Sequence, residues 1–174
     1  MKTPLQFIIF FITSALVIQT TKAQVDQGAI DATEAYFTAK MCDDFETLIN
    51  LTLPDLIDQA GGRDRMMTAL SKIHNNQRSK GILLQEFKIK EEIEQTKTKS
   101  ETHVLIPTVT ISKVPGGTVT TESHLIAVGT ESNSKWYIVE TSSLNEFNIQ
   151  KVIANWDNSI MLPFKKSPVF KEDK

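Results

Sequence analysis

Three histidines, one cysteine and several closely spaced acids are the residues on which chemistry in this chain would have to rest. A metal needs ligands that converge, and His74, His103 and His124 show no H-x-H, H-x-x-H or H-E-x-x-H spacing. If Pro115-Gly116-Gly117 is a hairpin turn, residues whose numbers sum to about 232 pair across it. His103 then faces about residue 129 and His124 about residue 108, too far apart along a sheet to share an ion. His124 stands out because Ile126 and Val128 share its side of the strand. Asp43, Asp44, Asp55 and Asp58 sit at expected helix starts, where a carboxylate is held by free N–H groups and the helix dipole. Arg63-Asp64-Arg65 opens a helix and is expected in solvent. No G-x-S-x-G elbow, G-x-G-x-x-G turn or phosphate loop occurs. Cys42 stands alone, which excludes a disulfide framework and a cysteine-built zinc site. It is expected to be buried, because Met41-Cys42 ends an apolar helical stripe. Asn50-Leu51-Thr52 is a glycosylation sequon by pattern, with meaning only in a eukaryotic secretory route. The residues therefore assign no catalytic group, no cofactor and no metal.

Composition bounds the remaining possibilities. The 174 residues are 40% hydrophobic and 23% charged, with a formal net charge of −2. That is an ordinary folded composition with no electrostatic case for nucleic acid. Residues 1–23 read as a secretory signal: Lys2, the apolar run Phe7 to Ile18, then a polar stretch with small residues at Thr21 and Ala23. Cleavage is expected after Ala23. The apolar run is shorter than the roughly 20 residues a spanning helix needs, so the chain is expected to be exported, periplasmic or extracellular, with no membrane attachment after cleavage. Residues 24–174 are expected to form one domain with an extended tail from about residue 157.

The elements that would position any site follow from periodicity. Asp26 to Met41 carries Ile30, Phe37 and Met41 on one helical face, with Ala29 and Tyr36 beside them. Asp43 with Glu46 resembles a capping box for a short helix carrying Phe45, Leu48 and Ile49. Pro54 opens another turn. Gly61-Gly62 precedes a helix over about 63–76, with Met66, Met67, Leu70, Ile73 and His74 on its apolar side. After Gly81 the period changes to two. Strands are expected over about 83–93, 103–112, 118–130 and 135–141, with polar turns at 95–100 and 131–134, as an antiparallel meander. The alternating charges over 88–99 read as a solvated face. Trp136 and Tyr137 point to opposite faces, one into the core and one toward a pocket or interface. Ser143 to Glu146 is a second capping-box candidate, for a helix carrying Leu144, Phe147, Val152, Ile153 and Trp156. The chain is therefore read as α+β, with N-terminal helices packed on a curved antiparallel sheet of four or more strands.

Three features carry a resemblance to the nuclear-transport-factor-2-like superfamily, also called the cystatin-like cone or polyketide-cyclase-like fold. They are Tyr36-Phe37 followed by Cys42 to Leu48 at the first helix break, Gly62-Arg63-Asp64 at the opening of a later helix, and Trp136 to Val139 on a late strand. The Pro168 to Phe170 tail is similar to that of secreted bacterial members of unassigned function. The resemblance covers about residues 26–142. It implies a sheet wrapped around the first helix to leave a cone-shaped pocket, and homodimers joined through the outer sheet face. The second strand, apolar on both faces, suits burial in a dimer or under the tail. The family includes isomerases and hydrolases, but neither catalytic set maps onto these residues. A non-enzymatic role is therefore expected: binding a small apolar or amphipathic ligand, or self-assembly. The alternative is a small isomerase- or hydratase-type enzyme. Tyr36, His124 and Glu140 are the candidate pocket-lining polar residues in either case.

Overall fold

The computed structural model describes residues 25–130 and 134–173. The expected signal segment and its cleavage site, and part of the turn at 131–134, lie outside them. No helix among the described residues is long and apolar enough to cross a membrane.

Four helices come first: α1 (Gln27–Cys42), α2 (Phe45–Asn50), α3 (Pro54–Gln59) and α4 (Arg63–Ser79). Asp26 caps α1 as expected, its carboxylate accepting the Gly28 N–H at 2.9 Å. Ala29, Ala32, Thr33, Phe37 and Ala39 form the buried side of α1. The expected capping box is built differently. Asp44 caps α2, accepting from the Thr47 N–H at 3.1 Å, while Glu46 turns away to pair with Arg63. Arg63 is thus tied to α2 as well as facing solvent. Asp43 ends α1 in the left-handed region with φ 59°, freeing its side chain for α4. His74 Nδ1 lies 2.5 Å from Asp43 Oδ1, and Arg78 pairs with the other oxygen. These polar ties matter because α4 buries no residue fully. Ile73, expected on its apolar side, is mostly exposed.

The strands are β1 (Leu83–Ile89), β2 (Glu94–Lys97), β3 (Glu101–Val114), β4 (Gly117–Thr130), β5 (Lys135–Glu140) and β6 (Val169–Glu172). They form one strongly curled antiparallel sheet, a half-barrel, in the order β1-β3-β4-β5, with β2 added on β3 and β6 on β4. The expected polar turn at 95–100 thus contains most of β2, whose Glu-Gln-Thr-Lys sequence carries no apolar alternation. The hairpin closes at Val114↔Gly117 around Pro115-Gly116, with Gly116 at φ 81°, a conformation glycine adopts without strain. Partner numbers therefore sum to one less than expected. His103 faces Val128 and His124 faces Pro107. The two histidines share a face, about 13 Å apart at the rise of a strand.

Apolar clusters lie on both faces of the long β3–β4 pair. On one, Ala29, Ala32 and Phe37 of α1 meet Val104, Ile106, Leu125, Ala127 and Ile138. On the other, Leu105, Ile126, Val128 and Val139 meet Leu144, Ile149, Ile153, Trp156 and Ile160 from the chain after β5. Covering both faces explains the consecutive apolar residues Val104-Leu105-Ile106 of β3 and Leu125-Ile126-Ala127-Val128 of β4. The expected C-terminal helix shrinks to α5 (Ile149–Val152), preceded by a 3-10 turn at Thr141–Ser143. Phe147, expected in its core, is 86% exposed. Beyond it the tail runs extended, and β6 pairs with the start of β4. Gly117 admits that strand, since a Cβ there would lie 2.2 Å from the Lys171 carbonyl oxygen.

Candidate functional site: a break in the sheet

The sheet narrows to two strands at one level. On the β3 side, β1 pairs as far as Ile89↔Thr108 and β2 begins at Glu94↔Leu105. Pro107 sits in that break. Its missing N–H would interrupt a continuous ladder, but here no strand lies opposite, and its carbonyl accepts the Lys90 N–H at 2.9 Å. On the β4 side, β5 pairs from Leu125 onward and β6 only as far as Thr120. Thr121 to His124 therefore lack a strand neighbour on the side away from β3, among the described residues. Antiparallel alternation turns the backbone of Glu122 and His124 toward that open side. The His124 carbonyl accepts the Thr141 hydroxyl at 2.8 Å, as the alternation requires.

A groove of about 360 Å³ occupies this break. Thr121, Glu122, Ser123 and His124 line it from β4, Pro107 and Thr108 from β3, and Leu162 to Lys166 from the tail. Three cations reach it. Lys90 and Lys166 grip the Glu122 carboxylate at 3.1 and 2.7 Å. Lys165 donates to the Ser142 carbonyl at 2.6 Å, and no acid pairs with it among the described residues. The hydrogen bonds from Lys166 and Lys90 hold Glu122 below the usual carboxylate range, and Glu122 in turn raises Lys166. Burial, then the charge of Lys166, lowers His124 despite a smaller opposing pull from Glu94. His124 is thus a neutral imidazole at neutral pH. The arrangement offers hydroxyls, strand-edge backbone groups and ammonium groups beside an apolar wall of Leu144, Leu162, Pro163 and Phe164. It can hold a polar head. Among the described residues, no hydrogen bond or ion pair joins His124 to an acid of the groove.

Beyond Leu162 to Lys165, which both share, lies a second, more apolar trough of about 620 Å³. Ile149, Trp156, Ile160, Met161 and Phe147 line it. Phe147, Met161 and Phe164 are 86%, 78% and 99% exposed.

The three candidate residues do not converge. Glu140 pairs directly with Leu125 and so faces α1, where its carboxylate meets Tyr36 Oη at 2.7 Å and Lys40 Nζ at 2.5 Å. Burial alone would raise the Glu140 carboxyl. The charge and hydrogen bond of Lys40, with the Tyr36 hydroxyl, outweigh it and hold the group below its ordinary value. Burial first, then Glu140, pushes the Tyr36 hydroxyl well above its own. A carboxylate held ionised is a weak base, and a phenol so raised only donates. The trio ties α1 to β5. His124 lies on the opposite face, in the sheet break.

The other sequence-marked residues have structural settings. His103 is fully buried, stacked on Trp156 at 5.3 Å, with Nε2 3.1 Å from Glu101 Oε2. Cys42, expected to be buried, is exposed, because the buried side of α1 ends with Phe37 and Ala39, three residues before it. No group of three metal-binding side chains forms among the described residues. Trp136 fills the core beside α1, while Tyr137 is half-buried on the other face. A third groove, of about 390 Å³, lies between α1, α4 and β1, near Lys40, His74 and Arg78.

Compared with protein-family models, curated proteins and solved structures, the chain matches none. Lys90, Glu122, Lys165 and Lys166 were not readable as a site from sequence. Their meeting depends on where β1, β2, β5 and β6 stop. The one local clue was Pro107 inside a strand-like run, since Pro there marks a missing neighbour.

Proposed function

We propose that this protein is exported, loses residues 1–23, and binds a small amphipathic ligand without catalysing a reaction. In this reading α1 nests in the curled sheet as in the nuclear-transport-factor-2-like cone, within one α+β domain. The ligand site is displaced from the cone to the break in the sheet. The single observation that carries the reading is the groove at Thr121–His124, polar on its strand side and apolar on its tail side, within the volume range of small-molecule sites. The cone residues Tyr36 and Glu140 support it by contrast, since they are engaged with Lys40 in holding the fold. Calorimetric titration with decanol tests it. One saturable site is expected in the parent protein. It is lost in Thr121→Trp, which fills the groove, with the circular dichroism spectrum kept. No saturable binding, or binding indifferent to Thr121→Trp, refutes the reading.

One observation favours self-assembly as a second reading. The face opposite α1 is covered by the chain's own Leu144–Ile160 segment, so a homodimer would use Phe147, Met161 and Phe164 instead of the bare sheet. Sedimentation of Phe147→Ser decides: a parent dimer converted to monomer supports assembly, and a monomeric parent removes it.

A further inference from the structure

We propose that the ligand carries an anionic head, a carboxylate, seated in the sheet break, with its apolar chain running along the Leu162–Phe164 segment into the neighbouring trough. This rests on the amphiphile-binding reading above. Three ammonium groups, Lys90, Lys165 and Lys166, line the groove against two acids, Glu92 and Glu122. Among the described residues, the partner of Lys165 is the Ser142 carbonyl. Alternation turns the amides of Glu122 and His124 toward the open edge, where no strand among the described residues pairs with them. Two edge amides beside ammonium groups suit a carboxylate, which accepts at both oxygens.

Glu122 already occupies the position such a head would take. Its carboxylate draws Lys90 and Lys166 together across the groove, as an anion of the chain's own. A ligand carboxylate competes with it and takes over one or both lysines. The apolar route is continuous in its lining: Leu144, Leu162, Pro163 and Phe164 border both the polar groove and the trough beyond. Phe164, almost wholly exposed, gains cover when a chain lies against it.

The competition gives the test an unusual sign. Removing an acid from the lining strengthens binding of an acid. Decanoate and decanol are titrated at pH 8 and low salt into the parent protein, Glu122→Gln and Lys166→Gln, each checked by circular dichroism. Decanoate is expected to bind more tightly than decanol. Glu122→Gln should tighten decanoate about two- to fivefold, the worth of one exposed ion pair, and leave decanol unchanged. Lys166→Gln should weaken decanoate by a similar factor. Added salt should erode the decanoate advantage. Equal binding of both probes, with decanoate insensitive to Glu122→Gln, overturns the anionic head and leaves the amphiphile reading standing. Absence of binding by either probe to the folded parent overturns both.

Discussion

His124 makes the groove sensitive to acid. Burial and the neighbouring lysines lower its pKa, so the unfolded chain takes up a proton at a higher pH than the folded one. Stability is then undiminished above the ordinary histidine pKa of about 6.5 and falls as the pH drops below it toward the lowered value. Denaturant midpoints at pH 7.5 and 5.5 should show this loss in the parent and less of it in His124→Gln. An identical loss in both removes His124 as the cause. Glu140 is shifted the same way, downward, with the same direction of effect. Held low by Lys40 and Tyr36, it contributes stability above its unfolded pKa of about 4.3, which is lost as pH falls through the folded value. Close packing at glycine gives a further residue-scale test. A Cβ on Gly129 would lie 2.8 Å from the Trp136 ring, and one on Gly28 2.4 Å from its Nε1. Gly129→Ala should therefore cost about 1–3 kcal/mol, the range for overpacking, with a shifted tryptophan fluorescence. An unchanged melt would show that the ring has room to move. At this scale the sequence was legible wherever one residue decides the outcome. Asp26 as a cap and Gly116 in a turn are local chemistry. Asp43 was not, because its partners His74 and Arg78 lie some thirty residues on.

Among the elements, α4 depends most on polar ties. It has no fully buried residue, and Asp43 and Glu46 hold it to the α1–α2 corner. Asp43→Ala should raise amide exchange across Arg63–Ser79 while exchange in β3 and β4 changes little. Equal protection of α4 in both proteins would show that its half-buried Met66, Met67 and Leu70 suffice. The long elements were readable because period alone defines them: α1, α4, β3 and β4 lie close to where alternation or helical spacing put them. β2 was hidden by its polar composition, and α5 was overestimated because Phe147 was counted as core. The register error of one has a single cause. Val114 and Gly117 close a two-residue turn, whereas a three-residue turn was assumed. Face assignments survived it, since they follow from each strand's own alternation.

At the scale of the molecule, the sheet has apolar cover on both sides, from α1 on one and the Leu144–Ile160 segment on the other. Ile106 and Ile126 point to opposite faces and neither is exposed. Ile106→Ala and Ile126→Ala should each cost about 2–5 kcal/mol in denaturant unfolding. A tolerated Ile126→Ala would show that the C-terminal segment does not cover its face. Sequence suggested this double cover through β3, apolar on both faces, without showing whether a second copy or the tail supplied it. The location of the groove was beyond such reading, because it arises where β1, β2, β5 and β6 stop short of one another around Pro107 and His124. Chemical-shift mapping of backbone amides during a decanol titration tests that location most directly. The account predicts shifts concentrated in Thr121–His124, Ser142 and Leu162–Lys166. Shifts concentrated instead around Phe37, Lys40, His74 and Arg78 would place the ligand between α1, α4 and β1 and contradict it.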